Sequence, residues 1–384
     1  MWRHIASNAI TFLVVLVFLL GGVVLWGQNE YTSEGPLTER ICLQVKPGSN
    51  MRGVSRQLED AGAISNGSIY RVGAEYSGKN SRLKAGSWLV PEGASMQEIV
   101  DIVTRGGAST CGTEVVYRIG VTRSEARVRE LDPATDAYVE RAEFDLAAEE
   151  RPEIYAKVRE EADTRYRIAI AEGVTSWQIV NALGQIDLLE GAADKLPPEG
   201  SLAPDSYEVS AGDTVAGVLE RMDAEQDLRL AETWENRAEG IPLKDPYEAL
   251  ILASIIEKET GLPEERGQVA SVFTNRLEQG MKLQTDPTVI YGVTEGKGVL
   301  GRGLRQSELR KRTDWNTYVI DGLPPTPIAN PGRASLEAAV NPEDTDFIFF
   351  VADGTGGHAF ARTLEEHNKN VAEWRKIEAE RATE

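Results

Sequence analysis

The stretch Lys244–Gly292, KDPYEALILASIIEKETGLPEERGQVASVFTNRLEQGMKLQTDPTVIYG, carries the densest structural signals in the chain. Asp245 can cap a helix, Pro246 suits the first helical position, and Glu248 stands three residues after the cap. Leu250, Ile251, Leu252, Ala253, Ile255 and Ile256 make that helix apolar nearly all round, which predicts burial, and Gly261 with Pro263 ends it. Glu257 and Glu259 stand in its last turn, where the macrodipole disfavours a carboxylate. At about 100° per residue the two acids point roughly 200° apart. Glu259 continues the stripe Leu252, Ile255, Ile256, whereas Glu257 follows Leu250, Ala253 and Ser254. Burial disfavours the anion and keeps a proton near neutral pH, as a general acid requires. The alternative is an amphipathic helix whose end emerges into water, with both acids solvated beside Lys258.

A second amphipathic helix follows, with Val269, Val272, Phe273 and Leu277, closed by Gly280. Then come Leu283-Gln284-Thr285-Asp286-Pro287-Thr288, Trp315-Asn316-Thr317-Tyr318 and Gly322-Leu323-Pro324-Pro325. Pro and Gly stiffen these segments while amides, hydroxyls and rings are displayed. Planar hydrogen-bonding groups beside rings suit a sugar-binding cleft.

The blocks ASIIEKET, VASVFTNRL, LQTDPTVIYG, WNTY, GLPPTPIANPG and FFVADGTGGHAF, spread over residues 244–370, resemble the MltG/YceG family of endolytic murein transglycosylases. The resemblance implies a membrane-bound enzyme that cuts peptidoglycan glycan strands between N-acetylmuramic acid and N-acetylglucosamine, leaving 1,6-anhydro ends. It places the catalytic glutamate in the EKET block. We assign it to Glu259, before Thr260, as in the Glu-Ser signature of other lytic transglycosylases, with Glu257 as the competitor. Gln284, Thr285, Asp286, Tyr291, Asn316 and Tyr318 are the candidate sugar contacts; Asp286, ahead of Pro287, can instead cap a helix. The chemistry needs no metal, cofactor or protein nucleophile. The family also implies penicillin-binding synthases and division proteins as partners. Two rivals remain: a hydrolase in which Asp286 activates water, and an inactive, membrane-tethered glycan binder.

Composition narrows the alternatives. The chain has 384 residues, 41% of them apolar, and a net charge of −20, with no basic stripe to bind nucleic acid. Three histidines and two cysteines are few for a metal centre, and no HExxH, P-loop or dinucleotide motif occurs. A Ser-His-Asp triad would have to recruit His358 or His367; His358, after a glycine-rich turn, suits structure or ligand contact better.

From the N-terminus, Ile5–Asn29 contains no charge. Residues 1–9 read as a cytoplasmic N-terminus and 10–27 as a transmembrane helix, since about 20 helical residues cross a bilayer core. A cleaved signal peptide is the rival, but no A-x-A-like site follows the run. Arg3 before it and Glu30 and Glu34 after it orient the bulk of the chain to the periplasmic side of an inner membrane. There Cys42 and Cys111 have the chance to pair.

Residues 28–39 read as a linker. Residues 40–110 read as a strand at Ile41–Val45, a helix through Met51, Val54 and Leu58, a strand near Leu83–Val90 and a capping box at Ser95–Glu98. They resemble the LysM-like βααβ-type subdomain of the same family, a module that either binds glycan or only docks and positions. Residues 111–165 read as a charged insertion, helical or flexible. A degenerate second LysM-like subdomain is expected at 166–240. In it, Leu202 and Ala203 stand where aromatics are expected. Residues 241–384 form the α+β catalytic domain, ending in a charged helical tail where Val371 and Trp374 pack last. The expected class is therefore α+β behind an N-terminal membrane helix.

Overall fold

The computed structural model describes residues 2–161 and 163–381. It is a mixed α+β protein, opening with a helix, α1 (Trp2–Thr32). Within α1, Ile10–Thr32 is long and apolar enough to cross a membrane, by length and composition. The elements that follow are β1 (Ile41–Val45), α2 (Met51–Asp60), α3 (Gly67–Tyr76), β2 (Gly86–Val90) and α4 (Met96–Arg105). Next come β3 (Thr113–Ile119), β4 (Ser124–Asp132), β5 (Ala137–Asp145), α5 (Glu153–Arg159), β6 (Arg165–Ile170), α6 (Ser176–Leu183), β7 (Ser206–Val209) and α7 (Val215–Glu235). The C-terminal part contains α8 (Pro246–Glu259), α9 (Arg266–Glu278), α10 (Asp286–Thr294), α11 (Gln306–Arg310), α12 (Arg333–Val340), β8 (Phe349–Ala352), β9 (His358–Ala361) and α13 (Leu364–Arg381).

The chain divides into two compact units, one of residues 1–116, 127–144 and 150–166, the other of 117–126, 145–149 and 167–384. In the first, β1 and β2 pair antiparallel with Leu43 opposite Trp88. Alternation puts Leu43 and Val45 into a core with Val54, Leu58, Tyr70, Trp88, Ile99 and Val103. Asn50, Asn66 and Ser95 cap α2, α3 and α4, and Ser95 with Glu98 forms the expected capping box. Cys42 is joined to Cys111 by a disulfide. Residues 28–39, read above as a linker, hold the last turn of α1 and a buried Leu37.

Residues 112–164 are neither helical nor flexible as a whole, which corrects the reading from composition. They supply β3, β4 and β5 of a five-stranded sheet ordered β5-β4-β3-β6-β7, and only α5 is helical. Val115, Val116, Val128 and Leu131 are buried. The charges that hid this segment pair across strands: Arg129 and Arg165 meet the buried Glu114, and Arg127 meets Glu140 and Glu143. Opposite charges on neighbouring strands stabilise a sheet face, so a high charge count does not exclude a core beneath it.

In the second unit, Asp245 caps α8 through the Glu248 amide and Pro246 stands in its first turn, as the sequence predicts. All eight residues from Ala249 to Ile256 are buried, and α8 packs with α9, α12 and α7. Leu202 and Ala203 are wholly buried, so they serve packing and no ring-stacking role. The tail helix, α13, turns Val371, Trp374 and Ile377 inward at helical spacing, and Ile377 reaches Gly354.

Candidate active site at the end of helix α8

The centre of α8 is held by its apolar sheath, so its last turn presents Glu257 and Glu259 in fixed and opposed directions. The Glu257 carboxyl has its own partners. The Gly332 amide donates to it at 2.9 Å and the Arg266 guanidinium lies 3.8 Å away. The Glu172 carboxyl packs against Gly332, within 1.7 Å of where a Cβ would stand, so a side chain at 332 would displace it. Burial raises the Glu172 carboxyl above its ordinary range, aided by the charge of Glu257. Lys258, between the two acids, donates to the Gly173 carbonyl at 3.1 Å, and burial lowers its pKa.

Glu259 has a different environment. The residue is half-buried, its carboxyl is surrounded by protein, and burial pushes its pKa up to about 7. The Thr285 hydroxyl donates to this carboxyl and partly offsets the shift, as does the charge of His358, while Asp286 raises it further. Thr285 is itself fixed. Its amide donates to the Thr317 hydroxyl at 3.1 Å, and the Thr317 and Thr288 hydroxyls lie 2.9 Å apart.

The sequence candidates separate into two groups. Thr285, Asp286 and Tyr318 gather about Glu259, and Gln284 precedes Thr285 in the chain. Tyr318 donates to Asp286 at 2.7 Å, and burial together with the two carboxylates raises the phenol's pKa. Asp286 is exposed and is the first residue of α10, with Thr285 before it at the cap position, so Asp286 is not the cap. Gln284 has an exposed side chain on a left-handed backbone, φ 47°, a conformation that costs a non-glycine residue energy.

Asn316 and Tyr291 do other work. Asn316 is completely buried, and its amide donates to the carbonyls of Glu308, Leu309 and Lys311 at 3.1, 3.1 and 2.7 Å. It therefore organises the loop after α11 and offers nothing to a ligand. Tyr291 donates to Glu199 at 3.1 Å and lies 5.6 Å from the Trp315 ring. Glu199, its carboxyl raised by burial, also accepts from the Ser176 amide at 2.8 Å, so this pair ties α10 to the start of α6.

Two further residues, Glu265 and Arg276, escaped the sequence reading. Glu265 grips His358 twice, accepting from its backbone amide at 2.7 Å and meeting Nδ1 at 2.8 Å. The Thr260 hydroxyl donates to the same carboxylate at 3.3 Å. Arg276, buried, donates to the carbonyls of Ile348 and Leu283 at 2.7 and 2.6 Å, and its charge favours the Glu259 anion. His358 stood out only as part of a glycine-rich turn; its partner is 93 residues away, a pairing that helical or strand periodicity cannot reveal. Chemically, the site offers one proton-bearing carboxyl near neutral pH, held by the Thr285 hydroxyl and influenced by the exposed carboxylate of Asp286.

Comparison with known proteins gives concordant matches. The YceG-like family model matches residues 115–373. A Bacillus subtilis (strain 168) protein named endolytic murein transglycosylase is 27% identical over 91% of this chain and 89% of its own length. A Streptococcus pneumoniae serotype 2 protein of the same name is 27% identical over 96% of this chain, which spans 65% of that relative. A crystal structure of a YceG-like protein from Listeria monocytogenes aligns with a TM-score of 0.46 at 26% identity, over 86% of this chain and 98% of that one.

Proposed function

The chain belongs to the YceG-like family, and on that premise we propose that it is an endolytic peptidoglycan transglycosylase with Glu259 as its acid and base. The observation that carries the reading is the buried Glu259 carboxyl, whose pKa near 7 keeps a proton available at physiological pH. The names of the curated relatives supply the substrate class, and Glu259 supplies the proton.

In the proposed reaction, Glu259 protonates the oxygen that links N-acetylmuramic acid to N-acetylglucosamine, and the C1–O bond breaks through an oxocarbenium-like state. The resulting carboxylate takes the proton of the muramic acid C6 hydroxyl as O6 closes onto C1. The products are a 1,6-anhydro end and a free N-acetylglucosamine hydroxyl. Glu259 ends protonated, and no water is consumed. Thr285 orients the carboxyl in both steps. Asp286, held by Tyr318, places negative charge beside the developing cation, and Gln284 is available to sugar amides and hydroxyls. Proton transfer contributes about 10²–10⁴-fold, so positioning and electrostatics supply the remainder.

In the same reading, α1 anchors the protein in the inner membrane with residues beyond it on the periplasmic side, and penicillin-binding synthases and division proteins work beside it. The β1-α2-α3-β2 order matches the βααβ pattern of the proposed LysM-like subdomain, which would bind glycan. The test is digestion of purified glycan strands by the full chain and by Glu259→Gln. Anhydro ends released only by the unaltered protein support the proposal; unchanged cutting by the variant refutes the assignment.

A further inference from the structure

α3 has two apolar stripes where a soluble surface helix needs one. Tyr70 and Ala74 face the core of the first unit. Ile69, Val72 and Tyr76, three and four residues apart, form a second stripe, and Val72 and Tyr76 are 66% and 96% exposed. This stripe does not face open solvent on all sides. With Val23, Val24, Trp26 and Tyr31 of α1 it lines a groove of about 730 Å³.

The groove is built, because α1 is locked to the unit at this point. The Tyr31 ring lies over Gly73, where a Cβ would come within 2.2 Å of it. Ser65 donates to Glu30, and the Gly35 amide donates to the Gly93 carbonyl at 3.0 Å. No flexible link separates the apolar helix from α3, so the depth of one sets the depth of the other.

That depth follows from the length of the apolar run. About 20 helical residues cross the hydrocarbon core, so a span that starts at Ile10 reaches the far boundary near Asn29. Val23, Val24 and Trp26 then lie on the hydrocarbon side of the boundary and Tyr31 at the headgroups. The groove straddles that boundary, and the stripe that forms its other wall faces the same layer. Trp26, Tyr31 and Tyr76 fit the aromatic belt found at membrane interfaces. Lys79 and Asp101, paired at the rim, supply the polar edge.

We propose that α3 docks on the outer leaflet of the bilayer, with phospholipid acyl chains filling the groove between α1 and the Ile69-Val72-Tyr76 stripe. This rests on the reading of α1 as a membrane span. Its consequence is that the β1-α2-α3-β2 unit rides on the membrane surface in one orientation.

The test uses the full chain in vesicles of phosphatidylethanolamine and phosphatidylglycerol, with one nitroxide on an added cysteine at Leu20, Arg56 or Tyr76, and oxygen and nickel-chelate accessibilities measured for each. Leu20→Cys reports the span and Arg56→Cys, on the charged α2, reports water. The expected result is an oxygen-to-nickel ratio at position 76 several-fold, about threefold or more, above that at 56, with position 20 deeper still. A lipid-like reading at 20 with equal ratios at 76 and 56 overturns the docking and leaves the span intact. A water-like reading at 20 overturns the span, and the docking with it.

Discussion

Replacing Glu259 by Gln should make the protein more stable while removing its activity, with a pH dependence that identifies the carboxyl responsible. Burial raises Glu259 from an ordinary value near 4.5 to about 7. The folded state therefore binds more protons than the unfolded state between these values. Stability then falls as pH rises through the interval and levels off above about 7. At 1.36 kcal/mol per unit, the cost of holding the anion folded is about 3 kcal/mol above pH 7. Gln carries no charge and still accepts the Thr285 hydroxyl, so it avoids that cost at every pH and leaves no cavity. Chemical or thermal unfolding of the detergent-solubilised full chain, followed by the fluorescence of Trp315 and its neighbours, should show Glu259→Gln ahead by about 2–3 kcal/mol at pH 8. At pH 4 the two proteins should unfold together, because the native carboxyl is then protonated in both states. A variant with equal stability at pH 8 would mean that the carboxyl is solvated, and the argument for a neutral-pH acid would fail.

Cleavage efficiency, kcat/KM, should fall as pH rises through about 7, since the free enzyme must carry the Glu259 proton. Thr285→Val removes the donor that favours the anion, so this limb should move up by about one unit, and Thr285→Ser should restore it. Glu257→Gln should retain most activity while weakening the unit, because that acid holds Gly332 and Arg266 and does not share the Glu259 pocket. Asn316→Ala should cost about 1–3 kcal/mol, leaving three carbonyls without their shared buried donor, and its activity loss should track unfolding. Replacing Cys42 and Cys111 by Ser opens a 69-residue loop and should destabilise the first unit by about 4 kcal/mol on the chain-entropy estimate, with no change in cleavage chemistry.

Local rules read well wherever local interactions decide. The caps at Asp245 and Ser95 are where the sequence places them, because each is a contact between residues three apart. The two acids of the EKET block fall on different faces by helical geometry alone. Their partners were not legible: Gly332 and Arg266 for one, Thr285 for the other, all brought in by the packing of α8 with its neighbours. The charged segment was misread because its charges cancel in pairs across strands, a register that composition does not carry. Asn316 was misassigned for a related reason. An amide in a rigid loop serves a sugar or its own backbone equally well, and only its complete burial distinguishes the two.

The most direct test of the central claim is mass analysis of purified peptidoglycan glycan strands after incubation with the full chain at neutral pH. The account predicts internal cuts, new 1,6-anhydro-N-acetylmuramic acid ends, no incorporation of labelled oxygen from water, and loss of these products in Glu259→Gln. Reducing ends that carry the label would show a hydrolase instead. Strands left intact by well-folded protein would contradict catalysis altogether.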